Sequence, residues 1–128
     1  MTRLPASHTT SAPDPGAVLT KALVRVCQLV GINQRELAEV IGVSESTTSR
    51  MFNGRFALDP ASKEGELGLL FLRACRSLDA LLGGDGERMA QWLRAPNLHL
   101  GAVPAEQLQR IEGLVHVADY LDAMRGKL

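Results

Sequence analysis

Between Gln34 and Gly54 the chain reads QRELAEVIGVSESTTSRMFNG, and this stretch restricts the fold more than any other. Asn33 stands where a helix N-cap would, and Glu36 three residues on completes a capping box. Leu37, Ala38 and Ile41 recur at helical spacing, and Gly42 stops the helix by taking positive φ. Ser44 then caps a second helix, expected over Glu45–Phe52, which Asn53 and Gly54 close. Two short helices joined by so tight a turn must cross closely. Ala38 is small enough to face the crossing helix, Val43 plugs the space between the two, and Leu37, Ile41, Thr48 and Met51 complete the inner faces.

The remaining segments also read as helices. Residues 1–16, with Pro5, Pro13 and Pro15 among Ser, Thr and Ala, show no periodicity and predict a disordered arm. A helix is expected from near Gly16, with Leu19, Leu23, Val26 and Val30 on one face and Gly31 as its stop. Residues 55–63 read as a loop, followed by a long helix over Lys63–Leu82. Leu67, Leu70, Phe71, Ala74, Leu78, Leu81 and Leu82 form its stripe; Leu69 and Leu72 lie off it, which predicts cover on more than one side. Gly83–Gly84–Asp85–Gly86 reads as a flexible break and divides a first domain, 17–82, from a second, 83–128. A short helix from about Glu87 to Ala95 turns Met89, Trp92 and Leu93 inward and ends before Pro96. Pro104 opens another short helix. Glu112–Gly113 separates it from a last helix, about Gly113 to Arg125, whose face carries Leu114, Val117, Ala118, Leu121 and Met124. No strand pattern and no repeat stand out, so the fold class is all-α, a compact N-terminal helical unit joined by a long helix to a small C-terminal one.

Charge and composition narrow the function. Formal net charge is zero, with six Lys/Arg against five Asp/Glu in residues 1–60 and eight against nine in residues 61–128. A nucleic-acid binder usually carries a basic excess, since phosphate contacts supply much of the affinity. A DNA-binding role for this chain therefore calls for dimerisation or a larger assembly. Cys27 and Cys75 sit in apolar helical patterns with no CxxC, and read as buried free thiols of a reducing cytoplasm. No apolar run reaches the length of a membrane span, and the N-terminus lacks the apolar core of a signal peptide. His8, His99 and His116 share no ligand spacing, and no nucleophile–base set, carboxylate pair or phosphate loop is legible. The expectation is a protein with no catalytic site, no metal and no cofactor.

The Gln34–Gly54 pattern resembles the helix-turn-helix of the Xre/Cro family of phage-type repressors. By position in that motif, Ser44, Glu45, Ser46, Ser49, Arg50 and Asn53 are implied to face DNA, and Gln34 and Arg35 to contact phosphate. Arg50 is the expected guanine reader, through O6 and N7. Two residues depart from the family pattern. Thr48 stands where Val or Ile is usual, and Glu45 where a neutral or amide side chain is common. Glu45 could accept a hydrogen bond from cytosine N4 or, equally, weaken the contact by repelling phosphate.

From Met89 the chain reads MAQWLRAPNLHLGAVPAEQLQRIEGLVHVADYLDAMRGKL, which resembles the C-terminal domain of Xre/MbcA/ParS-type antitoxins. The matching positions are Trp92, Leu93, Pro96, Asn97, Leu100, Gly101, Pro104, Leu108, Glu112, Gly113, Val117 and Leu121; Ala102 departs where Gly often repeats. Physically, Trp92 and Leu93 anchor a helix, Asn97 can cap the turn after Pro96, and Gly101 permits a tight bend. The resemblance implies a partner, a RES-domain toxin that consumes or transfers from NAD, whose pocket the antitoxin's C-terminal helices cover. It implies toxin contacts from Trp92, Pro96, Asn97, Leu100, Gly101, Pro104 and Glu112, and from Arg125, Lys127 and Leu128 with its carboxylate. Three functions stay open at this point. They are an antitoxin that also represses its operon as a homodimer, a regulator with a dimerising tail and no toxin, and an interaction module with a vestigial helix-turn-helix.

Overall fold

The computed structural model describes residues 12–126, so the arm up to residue 11, His8, Lys127 and Leu128 lie outside the described residues. Within that range the chain forms seven helices and no strand, and no helix is long and apolar enough to cross a membrane. They are α1 (Pro15–Val30), α2 (Gln34–Ile41), α3 (Glu45–Phe52), α4 (Lys63–Leu82), α5 (Gly86–Arg94), α6 (Pro104–Gln107) and α7 (Ile111–Arg125).

The first four helices begin and end where local chemistry directs. Asp14 caps α1, accepting from the Ala17 N–H at 3.0 Å, so Pro15 and Gly16 belong to the helix and not to the arm. Asn33 and Glu36 form the reciprocal capping box at α2, at 2.7 and 3.0 Å. Gly42 takes φ 76° at the turn, and Ser44 caps α3. Ser62 caps α4. Gly83 and Gly84 (φ 69° and 78°) make a compact turn, and the Asp85 carboxylate accepts from Glu87 and Arg88 to start α5.

Three expectations are corrected. The last helix starts at Ile111, so Glu112–Gly113 does not interrupt the chain. Gly113 has a different role: a Cβ there would lie 2.1 Å from the Gln107 carbonyl oxygen, so its missing side chain lets α6 press against α7. The long helix is covered on more than one side, by α1, α2, α5 and α7, but Leu69 itself stays 48% exposed; Met124, past the end of the packed face, is 37% exposed. Finally α5 stops at Arg94, because Ala95, held before Pro96, is extended (φ −89°, ψ 144°).

One apolar core runs through the molecule. Leu23, Leu37, Ile41, Met51, Phe71, Leu78, Met89, Leu93, Leu108, Leu114 and Leu121 are buried and belong to a single cluster. The most extensive packing joins α4 to α7, while the start of α5 seats against α1. Ser77, fully buried, donates to Asp122 at 2.7 Å, and Arg73 Nε donates to the other carboxylate oxygen at 2.7 Å, tying α4 to α7 by polar bonds as well. The Ser77 hydroxyl and then the Arg73 guanidinium hold the Asp122 carboxyl below the usual carboxylate range.

Cys27 and Cys75 are free and buried. Burial, and secondarily the nearby Glu36 charge, pushes the Cys27 thiol up to about 12; Cys75 is raised by burial and, to a lesser degree, by Cys27. Both thiols are protonated and unreactive near neutrality.

Candidate functional site

Two surfaces emerge, one on α2–α3 and one on the segment that follows α5. On the first, the crossing is fixed from inside. Ala38 is 3% exposed and Val43 fills the angle of the turn, donating its N–H to the Ala38 carbonyl at 3.0 Å. Thr48 explains its own departure from an aliphatic residue. It is fully buried, and its hydroxyl lies 2.9 Å from both the Gln34 carbonyl of α2 and the Glu45 carbonyl of α3. A single hydroxyl thus fastens the first turn of α2 to α3, so the two helices are held as one unit.

The outward face of α3 carries the residues assigned to it. Glu45, Ser46, Arg50 and Asn53 are exposed, Ser49 half-buried. Ser44 is exposed too, but its hydroxyl is committed to the Thr47 N–H and to the hydroxyls of Ser46 and Thr47. Gln34 is half-buried and Arg35 exposed at the start of α2. The Arg50 guanidinium rests over the Phe56 ring, 5.4 Å from its centre, with one nitrogen 3.3 Å from Thr47 Oγ1. Arg55, overlooked in the sequence, stands exposed on the loop leaving α3, its N–H bonded to the Arg50 carbonyl at 2.8 Å. It adds a cation beside Arg50.

The second surface centres on the loop from Asn97 to Ala102. Asn97 and Ala102 form an isolated bridge, closed by an Asn97 N–H bond to the Ala102 carbonyl at 3.0 Å. The Asn97 side chain accepts from the Leu100 N–H at 3.0 Å, and Gly101 turns with φ 78°. Gln107 donates to the Leu100 carbonyl at 3.1 Å, pinning the loop to α6. His99 stacks on Tyr120 of α7, ring centres 6.0 Å apart.

The expected contact residues sort into two groups here. Leu100 and Pro104 are buried and shape the surface from beneath. Pro96, Gly101, Glu112 and Arg125 are exposed, while Trp92 and Asn97 are half-buried. The side chain that the loop does present is Leu98, 98% exposed and absent from the sequence-based set. Ile111 and Val115, 66% and 42% exposed and one turn apart on α7, were missed as well. The only sequence signal for all three was an apolar residue off the core stripe.

The two surfaces are joined. Arg94, the last residue of α5, holds the Glu36 carboxylate with two hydrogen bonds at 2.5 and 2.8 Å. It also donates to the Gly31 carbonyl at 2.6 Å. Glu36 is 5% exposed. The guanidinium of Arg94 is the main reason that the Glu36 carboxyl sits below the usual range; burial opposes it and the Asn33 N–H assists. The residue that caps α2 is therefore gripped by the residue that leads into the Leu98 loop. Among the described residues no cluster of His, Cys, Asp and Glu is arranged to hold a metal.

Comparison with known protein families gives two matches. Residues 11–73 match the antitoxin Xre-like helix-turn-helix domain, and residues 77–127 match the antitoxin Xre/MbcA/ParS C-terminal toxin-binding domain. No curated protein matches the chain closely enough to add to this.

Proposed function

From the premise that this chain belongs to the Xre/MbcA/ParS antitoxin family, we propose that it neutralises a RES-domain toxin by covering its NAD-binding pocket, and that it represses its own operon as a homodimer. The chain is the antitoxin of a toxin–antitoxin pair, with a helix-turn-helix ahead of a toxin-binding domain. The identity of the toxin, the occlusion and the repression are our reading.

One observation supports the toxin half best. A fully exposed leucine, Leu98, is held at the tip of a loop closed by a bridge, a side-chain cap and a bond to α6. Loops left to fray do not hold apolar side chains in water in this way. A pre-ordered apolar knob loses little entropy on docking and suits an anchor residue. In this reading Ile111 and Val115 extend the contact along α7. Arg125 and the residues after it reach the pocket that receives the phosphates of NAD.

Co-expression with the product of the neighbouring gene tests this. The wild-type chain should co-purify with a RES-type toxin, and Leu98→Asp should weaken capture by about tenfold or more. Deletion of residues 125–128 should leave folding and operator binding intact and reduce protection of toxin-expressing cells. If the truncated chain rescues growth as fully as the intact one, the tail does not enter the pocket. Inhibition then comes from the surface around Trp92–Pro104 and the face of α7. Absence of any capture by the wild-type chain would overturn the proposal.

For the DNA half, Arg50→Ala should weaken operator binding by about 1–3 kcal/mol and relax the choice at one base pair. Toxin capture should survive this change. Equal affinity of variant and wild type for the native promoter at fixed salt would remove Arg50 from the reading face.

A further inference from the structure

We propose that the groove between α1 and α4 is the face through which two copies of this chain associate, on a two-fold axis passing between Arg76 and Asp79. This deepens the homodimer of the reading above by assigning its surface. The groove, about 320 Å³, is walled by Ala22, Val26 and Leu29 of α1 and by Leu72, Arg76 and Asp79 of α4. Its apolar lining continues outward through Val18 and Leu29, each 52% exposed, and through Leu69 at 48%. On α1, positions 18, 22 and 29 share one stripe; on α4, positions 69, 72, 76 and 79 do. The two stripes lie side by side and leave Val18, Leu29 and Leu69 about half exposed along one apolar face.

Three features select a second copy as the occupant. The first is charge. Arg76 and Asp79 are exposed, lie three residues apart on one face of α4, and take part in none of the ion pairs formed among the described residues. When α4 crosses its own copy antiparallel, each Arg76 meets the partner's Asp79, so one motif yields two ion pairs around an apolar centre. An unrelated partner would need its own matching pattern; a second copy has it by symmetry. The second is the neutral charge balance. One α3 neutralises few phosphates, and two reading heads on one duplex double that number. The third is position. The exposed stripe of α1 lies opposite Thr20 and Val24, which face the end of α3 across a separate hollow. Pairing through the groove therefore leaves α3 uncovered.

Sedimentation equilibrium on the purified full chain, without DNA or toxin, tests the assignment. The wild type should be a dimer. Leu29→Glu, at a half-exposed position, should raise the dissociation constant roughly a hundredfold with unchanged helical circular dichroism. Arg76→Asp should weaken the dimer about tenfold, and Arg76→Asp combined with Asp79→Arg should restore it to within a few-fold. A wild-type chain monomeric at every concentration, a dimer indifferent to Leu29→Glu, or a double reversal no better than the single one would each overturn the proposal. If the wild type is monomeric and Leu29→Glu abolishes toxin capture, the groove belongs to the toxin. Failure of the antitoxin reading looks different: an intact dimer that captures no toxin.

Discussion

Gly113→Ala is expected to lower stability by about 3 kcal/mol, a loss of roughly 10 °C in Tm for a chain of this size, and to cost toxin capture along with it. The sign is the informative part. Alanine in place of glycine inside a helix ordinarily stabilises by about 1 kcal/mol. Here the added Cβ would lie 2.1 Å from the Gln107 oxygen and 2.8 Å from its carbonyl carbon, both backbone atoms that cannot rotate away. Relief requires α6 to lift from α7. That movement takes with it Leu108, 1% exposed, and the Gln107 amide that pins the Leu98 loop. Urea unfolding followed by circular dichroism measures the effect. A variant as stable as the wild type, or more so, would show that α6 yields without strain and that the close approach does not govern the packing.

Arg94→Ala is expected to cost about 3 kcal/mol, the lower end of what removing one partner of a buried ion pair costs. The discount reflects Arg94's position: its side chain is 45% exposed, so water can reach the vacated place, whereas the Glu36 side chain is only 7% exposed. The same pair predicts a pH dependence. Because the Arg94 guanidinium, against burial and with the Asn33 N–H, lowers the pKa of Glu36 in the fold, the unfolded chain binds the proton more readily. The resulting stability is present in full above the ordinary value of 4.5 and is lost as pH falls through the lowered one. Asp122, lowered by Ser77 and Arg73, acts with the same sign between α4 and α7. Unfolding midpoints measured between pH 7 and pH 3 should therefore show the gap between wild type and Arg94→Ala narrowing below about pH 4.5. A gap constant with pH would mean that Arg94 stabilises by packing alone.

The parts of this fold legible in the sequence are those decided within a few residues. Asn33 with Glu36, Ser44, Gly42 and Gly54 announce the ends of α2 and α3 because each satisfies backbone groups next to it in the chain. The outward residues of α3 follow from periodicity once those ends are known. The start of α7 was misread for the matching reason: Arg110 offers no side-chain cap, and Gly113 looks like a break when its constraint comes from Gln107 across a turn. The Glu36–Arg94 pair joins residues 58 positions apart, and nothing local to either marks the other. Leu98 was passed over because the loop's exposure is set by Asn97, Ala102 and Gln107 acting together, and no spacing rule encodes that.

The long helix α4 has a consequence for how such proteins can recombine. It is at once a wall for α1 and α2 and a wall for α7, and it has no seam between them. The chain's apparent joint, the Gly83–Gly84 turn, falls after that shared wall. A genetic crossover at the turn would graft a foreign α7 onto a resident α4, replacing Asp122 while keeping the Ser77 and Arg73 that hold it. New pairings of DNA target and toxin can then arise by exchange only between chains whose α4 helices already match. Otherwise they must be built by substitution on the exposed faces, one residue at a time, behind an interior that is inherited whole.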